Sequence, residues 1–263
     1  MLTYFSFLVI FVFSGIVLFA LLNLFAERHR RGLKCLLSGS NPYLIIGVLM
    51  VLAFSYTTPW DNYLVASNVW FYDTDLVMGV IIGWVPIEEY IFFLVQTLMS
   101  GLLFTILARY IPLCEESLTK STWIHIIPAV MLVVAWIASL YYFLIGWKAG
   151  TYLTLILVWA LPPIIIQLFY GADILKRHWR LVLVAVLTPS LYLSAADYIA
   201  ISQGIWTINL SSSTAILVGG VLAIEEVVFF FVTNTLVVFG MTLSLDQDSR
   251  IRGLKLLKLI RGI

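Results

Sequence analysis

Val77-MGVIIGWVPIEEYIFFLVQTLMSGLLFTI-Leu107 reads as one apolar run with two adjacent carboxylates, Glu88 and Glu89, set into it. It holds no Lys, Arg or His that could neutralise them. The run is long enough to cross a bilayer, whose hydrocarbon core takes about 20 apolar residues as a helix. Read as one helix, it carries Glu88 about 11 residues, or roughly 16 Å, inside its outer end, close to mid-membrane. An ionised carboxylate there is costly, so function is the default reading.

The rest of the chain sets that run in context. Of 263 residues, 62% are hydrophobic and 11% charged, whereas a soluble domain carries about a quarter charged residues. The bilayer is therefore the solvent. Seven spans are expected, at residues 2–25, 43–63, 77–107, 123–144, 152–170, 181–201 and 214–243. They show no period-2 alternation, and backbone polar groups in lipid must be satisfied internally, so helices are expected rather than a barrel. The first run has no basic residue ahead of it and no small-residue cleavage site after it, and reads as a retained helix rather than a signal peptide. A net charge of +1 gives no basic field for nucleic acid. Cys35 and Cys114 form no CxxC or metal-spaced pattern, so neither a disulfide framework nor a metal site is expected.

Basic residues check the span count. Alternate segments hold 14 of the 15 Lys and Arg, including Lys34 and Lys120, and leave Lys148 alone on the other side. The positive-inside rule then predicts a multi-pass protein of the cell membrane with its N-terminus outside and its C-terminus in the cytoplasm. Residues 244–263 alternate basic residues with Leu and Ile, and read as an amphipathic cytoplasmic helix on anionic headgroups.

The chain also resembles itself. Tyr56, Asp61 and Trp70 recur as Tyr192, Asp197 and Trp206 at a constant offset. After a slip of one residue, Glu88-EYIFFLV recurs as Glu225-EVVFFFV, and Tyr4 before its apolar run has a counterpart in Tyr152. Residues 1–110 and 151–243 thus read as two three-helix units joined by 111–150, which contains the fourth span. An odd number of intervening spans makes this 3+1+3 repeat parallel rather than inverted. The fold class expected is an all-α polytopic membrane protein with acids from both units around one central site.

Six acids lie within spans: Asp61, Glu88, Glu89, Asp197, Glu225 and Glu226. Glu27, Glu115 and Glu116 fall in or beside basic segments. A protonated carboxyl beside an apolar cavity is a Brønsted acid, and an ionised neighbour a base. Phe92 and Phe93 follow Glu88 and Glu89 by four residues, so each acid shares a helix face with a ring. Phe229 and Phe230 repeat this. Aromatic faces stabilise cations, so acids among rings suit carbocation chemistry on an apolar alkene. Pro86 is expected to kink its span, with Ala223 at the matching place leaving the second straight. The lining expected comprises Pro86, Phe92, Phe93, Gln96, Phe229, Phe230 and Asn234, together with Trp70 and Trp206. The two tryptophans also read as interfacial belt residues.

Trp84-VPIEEYIFFLV-Gln96 resembles the P-x-E-E motif of lycopene cyclases of the heterodimeric or fused c/d type, which include the cyclase domain of fungal cyclase–phytoene synthase proteins. Ala223-IEEVVFFF-Val232 resembles the second subunit's motif with alanine in place of proline, and Tyr56-TTPW-Asp61 and Tyr152-LTLILVWAL-Pro162 also look like that family. The resemblance covers about residues 2–243. It implies carotenoid biosynthesis by an intramolecular lyase or isomerase. A terminal double bond of lycopene is protonated, a ring closes through a tertiary cation, and deprotonation gives a β-ring, with no redox cofactor. It also implies a lipophilic carotenoid partner in the lipid bilayer and association with other carotenoid-pathway enzymes. No GxGxxG follows a strand, so a flavin-binding fold is not expected. Two rivals remain: another end-group enzyme of the superfamily (ε- or γ-cyclase, long-chain carotenoid cyclase or hydratase), and a proton-coupled transporter. A retinal protein would need a lysine in the last span, which has none.

Overall fold

The computed structural model describes residues 2–33, 35–112 and 121–261. The loop and cysteine expectations that fall on Lys34, Cys114, Glu115, Glu116 and Lys120 lie outside the described residues, as does the Cys35 side chain. Seven helices are long and apolar enough to cross a membrane. They are α1 (Tyr4–Arg28), α2 (Pro42–Ala66), α3 (Ile87–Tyr110), α4 (Trp123–Leu144), α5 (Thr151–Arg177), α6 (Trp179–Ser202) and α7 (Ile224–Leu245). An eighth, α8 (Gln247–Arg261), forms where the amphipathic tail was expected.

Local chemistry sets the ends. Thr3 accepts from the Ser6 N–H to start α1, and Asn41 accepts from the N–H groups of Tyr43 and Leu44, with Pro42 at the first position of α2. The acid-bearing helices hold the centre. α3 packs against α1, α2, α6 and α7, and α7 against α2, α3, α5 and α6, whereas α4 packs chiefly on α5. Two tyrosines tie the bundle across. Tyr56 of α2 donates to the Trp159 carbonyl of α5 (2.8 Å), and Tyr192 of α6 donates to the Phe11 carbonyl of α1 (2.8 Å).

Short hairpins correct two of the expected spans. β1 (Trp70–Tyr72) pairs antiparallel with β4 (Trp206–Ile208), with Phe71 opposite Thr207. β2 (Ile81–Ile82) pairs with β3 (Val85–Pro86), and β5 (Leu217–Val218) with β6 (Leu222–Ala223). α3 therefore begins at Ile87 rather than 77, and α7 at Ile224 rather than 214. Gly79 and Gly83 take φ of +78° and +66°, and Gly219 and Gly220 take +59° and +76°. These left-handed backbones turn the chain where a hydropathy window sees only apolar residues.

Two further expectations change with the hairpins. Glu88 and Glu89 are the second and third residues of α3, so they open the helix instead of lying roughly 16 Å along it. Pro86 does not kink a helix. It is the extended residue just before α3 (φ −68°, ψ 150°), and Ala223 takes nearly the same conformation before α7 (φ −61°, ψ 136°). The one-residue slip in the repeat also has a location. Residues 83–84 connect β2 to β3, whereas residues 219–221 connect β5 to β6.

At the far end of the bundle, ion pairs hold the helix ends. Arg109 meets Glu27 at 2.7 Å, Arg177 meets Asp246 at 2.6 Å and Asp248 at 2.7 Å, and Arg252 meets Asp173 at 2.7 Å. The last of these docks α8 on α5, helped by the Tyr170 hydroxyl on the Ser249 carbonyl (2.7 Å).

Candidate active site

Each glutamate pair is split by helix geometry, since neighbouring residues point about 100° apart. Glu88 turns back to the loop before it, and its Oε1 accepts from the Met78 N–H (2.5 Å). Glu225 does the same more completely. Its Oε1 accepts from the N–H (2.6 Å) and hydroxyl (2.8 Å) of Thr214, and its Oε2 from the Ser213 hydroxyl (3.1 Å). These two acids pin loops to helix starts.

Glu89 and Glu226 face inward and line one chamber with Tyr4, Phe7, Trp70, Tyr72, Phe92, Asp197, Trp206, Phe229 and Phe230. Both are held by phenols. Glu89 Oε2 accepts from the Tyr4 hydroxyl and from the Tyr72 hydroxyl (3.1 Å), and Glu226 Oε1 accepts from the Tyr152 hydroxyl (2.7 Å). Tyr72 belongs to β1, outside the spanning helices. Burial, and then the Glu89 carboxylate beside it, push its phenol well above the ordinary value, so it stays a donor. The chamber measures about 40 Å³, room for a few waters at most.

Its walls are rings at contact distance. Tyr4 lies 4.9 Å from Trp206 and stacks on Tyr72 at 6.0 Å, and Phe7 meets Trp206 edge-on at 5.1 Å. Phe229 and Phe230 meet at 5.4 Å. Among the described residues the ion pairs lie elsewhere, so no Lys or Arg is paired with these acids. An aromatic, cation-free chamber with two carboxyls can move protons and stabilise a transient positive charge. Among the described residues no group of three or more His, Cys, Asp or Glu side chains could hold a metal ion.

The two aspartates differ. Asp197 lines the chamber and its Oδ1 accepts from the Trp206 indole (2.8 Å), whereas its Oδ2 has no hydrogen-bond partner among the described residues. Asp61 is buried but does not line the chamber, and neither of its oxygens has a hydrogen-bond partner among the described residues.

Of the expected lining, Phe92, Phe229, Phe230, Trp70 and Trp206 reach the chamber. The belt reading of the two tryptophans falls, because the β1–β4 pairing folds them inward. Phe93 and Gln96 line a separate groove. Pro86 ends a hairpin. Asn234 locks helices together, accepting from the Ser100 hydroxyl (2.6 Å) and donating to Ser190 (3.2 Å). Sequence reasoning missed Tyr4, Tyr152 and Tyr72 as site residues. The first two were visible as matching starts of the repeat. Tyr72 becomes legible only once Trp70–Tyr72 is known to be a strand, which puts both on one face.

The bundle and its chamber define a class: a seven-helix membrane protein with two carboxyls in one chamber walled by aromatic rings. No protein-family model matches the chain, and no solved structure does. A lycopene beta-cyclase of Halobacterium salinarum is 42% identical over 199 residues, covering 75% of this chain and 81% of that protein. Bifunctional lycopene cyclase/phytoene synthases of Podospora anserina and Neurospora crassa are 34% and 32% identical over 76% of this chain, which spans about a third of their length. The chain belongs to the lycopene cyclase family.

Proposed function

We propose that this protein closes the linear ends of lycopene into β-rings by acid–base chemistry in the membrane, with Glu226 as proton donor and Glu89 as the carboxylate that takes a proton back. The observation that carries this reading is the pair of inward glutamates on one aromatic chamber. An ionised carboxylate only accepts hydrogen bonds, and Glu89 receives two phenol donors where Glu226 receives one. That difference supports Glu89 as the base and Glu226 as the acid that carries its own proton.

The steps balance without a redox partner. The Glu226 O–H proton adds to the terminal double bond, whose π pair forms the new C–H bond and leaves a tertiary cation. The π pair of a nearby double bond closes the six-membered ring and moves the charge onto a ring carbon. Glu89 then takes the adjacent C–H proton, and that σ pair becomes the ring double bond. The product is an isomer of the substrate. Rings around the cation lower its energy through their quadrupoles. Transfer of the proton from Glu89 back to Glu226 resets the site.

The wider arrangement follows the same reading. Units 1–110 and 151–243, joined by 111–150, form a parallel 3+1+3 repeat, supported by the matched hairpins and by the matched tyrosines on Glu89 and Glu226. The N-terminus faces outward from the cell membrane, the basic tail 244–263 lies on cytoplasmic headgroups, and other carotenoid-pathway enzymes pass on the lipophilic substrate. Expression in a lycopene-accumulating bacterium tests the reaction. The expected product has lycopene's mass and a cyclised end group. A product heavier by one water would make this a hydratase, and unchanged lycopene beside folded protein would overturn the reading.

A further inference from the structure

The chamber cannot hold a long polyene, and the structure offers a second space that can. A groove between α2, α3, α5 and α7 measures about 390 Å³, against about 40 Å³ for the chamber. Sites for small-molecule ligands run about 300–1,000 Å³. Its walls include Leu52 and Ala53 of α2, Phe93 of α3, Pro163 and Ile166 of α5, and Leu236 of α7. Leu52 and Ile166 are 57% and 68% exposed on the surface of a membrane bundle, so the groove opens to lipid.

Two features make the groove a built one. Pro162 and Pro163 lack N–H groups, which frees the carbonyls of Val158 and Trp159 one turn earlier. The Trp136 indole takes the first (3.2 Å) and the Tyr56 hydroxyl the second (2.8 Å), so α5 is held open without unpaired backbone there. The matching place on α1, found by the Tyr4-to-Tyr152 offset, carries Ser14 and Gly15. There α1 lies close against α3. A Cβ on Gly15 would lie 2.9 Å from the Met99 sulfur.

Phe229 lines both spaces. It stacks on Trp60 at 5.7 Å with an 8° interplanar angle, and Trp60 stacks on Trp159 at 4.6 Å. Phe229 is thus the ring that groove and chamber share, and it can swing about its side-chain torsions without breaking a hydrogen bond, whereas Trp60 and Trp159 behind it are fixed by their indole bonds to the Leu155 (3.1 Å) and Tyr56 (3.4 Å) carbonyls.

We propose that the lipid-open groove between α2 and α5 holds the extended polyene chain of the substrate, and that Phe229, backed by the fixed rings of Trp60 and Trp159, is a movable partition past which the end group enters the acid chamber. The inference rests on the cyclase reading and commits to one occupant, a long conjugated hydrocarbon drawn from the bilayer. The groove's apolar walls, lipid opening and shared wall with the chamber all select it.

The test uses the full chain in lipid nanodiscs with lycopene added, read by the induced circular dichroism of the polyene band. The Glu226→Gln background stops turnover so that binding is seen alone. Ala53→Trp and Ile166→Trp fill the groove. Ile166 points to lipid, so that variant folds even if Ala53→Trp does not, and melting temperature reports folding. Each folded variant is expected to weaken lycopene binding about tenfold or more, while Phe229→Ala retains the induced signal. Unchanged binding in the folded filling variants, with active wild type, overturns the groove and leaves the cyclase reading intact. No induced signal from lycopene on the Glu226→Gln protein also overturns the groove. A wild type that binds lycopene with the expected groove dependence but never cyclises it overturns the cyclase reading instead.

Discussion

The two acid-bearing helices, α3 and α7, share a framework and differ in how their carboxylates are supplied with hydrogen bonds. Each is entered through a hairpin, opens on a Glu-Glu pair, and sends the first glutamate to a loop and the second to the chamber. Glu89 has two phenols where Glu226 has one. Glu225 has three donors where Glu88 has one, and the second oxygen of Glu88 has no partner among the described residues. Asp197 is bonded to Trp206, whereas Asp61 and the Trp70 indole have no hydrogen-bond partner among the described residues. At the other end of the bundle the ion pair is reversed: α1 gives the acid Glu27 and α3 the base Arg109, but α5 gives Arg177 and Asp246 follows α7. Two alike helix entries with divergent hydrogen bonding are what the proposed division into one acid and one base rests on.

The largest effect tests the inward/outward split. Glu226→Gln and Glu89→Gln are expected to lower turnover about 100-fold or more, the scale of losing a general acid or base, with little change in melting temperature. Glu88→Gln and Glu225→Gln act on their loops. Glu225→Gln is expected to cost about 1–3 kcal/mol of stability through its three bonds, and Glu88→Gln less. Turnover normalised to folded protein, measured beside thermal melts, separates the two kinds of loss. Four equal turnover losses with unchanged melts would erase the distinction.

The next effect concerns the reversed ion pairs. Asp246 is buried, which pushes its carboxyl up, but His178, the Ser249 N–H and Arg177 outweigh burial and hold it below the usual carboxylate range. Its contribution to stability is therefore complete above the unfolded value of about 3.9 and is lost as pH falls through the lowered folded value. Acidification below about pH 4 is expected to release α8, seen as protease cleavage within residues 247–261. Arg177→Gln is expected to cost about 1–3 kcal/mol, because it strips a donor from a buried carboxylate. Arg109→Gln should cost less, since Glu27 is 42% exposed and screened. Equal destabilisation by the two variants would mean the reversal has no energetic consequence.

How much of this was legible in the sequence follows from what hydropathy can sense. The seven spans and the two glutamate pairs were, because apolar length and misplaced charge are properties of composition. The starts of α3 and α7 were not. Val80, Ile81 and Ile216 are as apolar in a hairpin as in a helix, and only the glycines at 79, 83, 219 and 220 mark the turn. Because the helix starts were placed too early, the glutamates were read too deep and Pro86 became a kink. The tyrosines on the acids were hidden for another reason. Tyr4 and Glu89 are 85 residues apart, and no local period links them.

The phenols carry the next prediction. Tyr152→Phe removes the only phenol on Glu226 found among the described residues, and is expected to lower turnover about tenfold, the worth of one hydrogen bond to a charged or proton-bearing carboxyl. Tyr4→Phe alone should cost less, since Tyr72 still donates to Glu89. Tyr4→Phe with Tyr72→Phe should cost at least as much as Tyr152→Phe. Steady-state assays on the four proteins decide it. A full loss from Tyr4→Phe alone would mean that Tyr72 does not share its role.

The smallest effect is the most direct test of whether the proline difference matters. Pro86 and Ala223 both sit in extended backbone just before their helices, 14° apart in ψ and 7° in φ. Proline fixes φ near −65°, a value Ala223 already adopts (−61°), so the backbone at each site accepts the other residue. Pro86→Ala frees an N–H and slightly loosens the unfolded chain. Ala223→Pro can remove at most one bond of the two-residue β5–β6 ladder. Each change is expected to shift stability by about 0.5 kcal/mol or less and turnover by less than about twofold. A kink-forming proline would behave differently, because its loss would straighten the helix and move Glu89 relative to Tyr4. Turnover of Pro86→Ala reduced about tenfold, at an unchanged melting temperature, would therefore restore a positioning role for the proline and make the two helix starts chemically unlike.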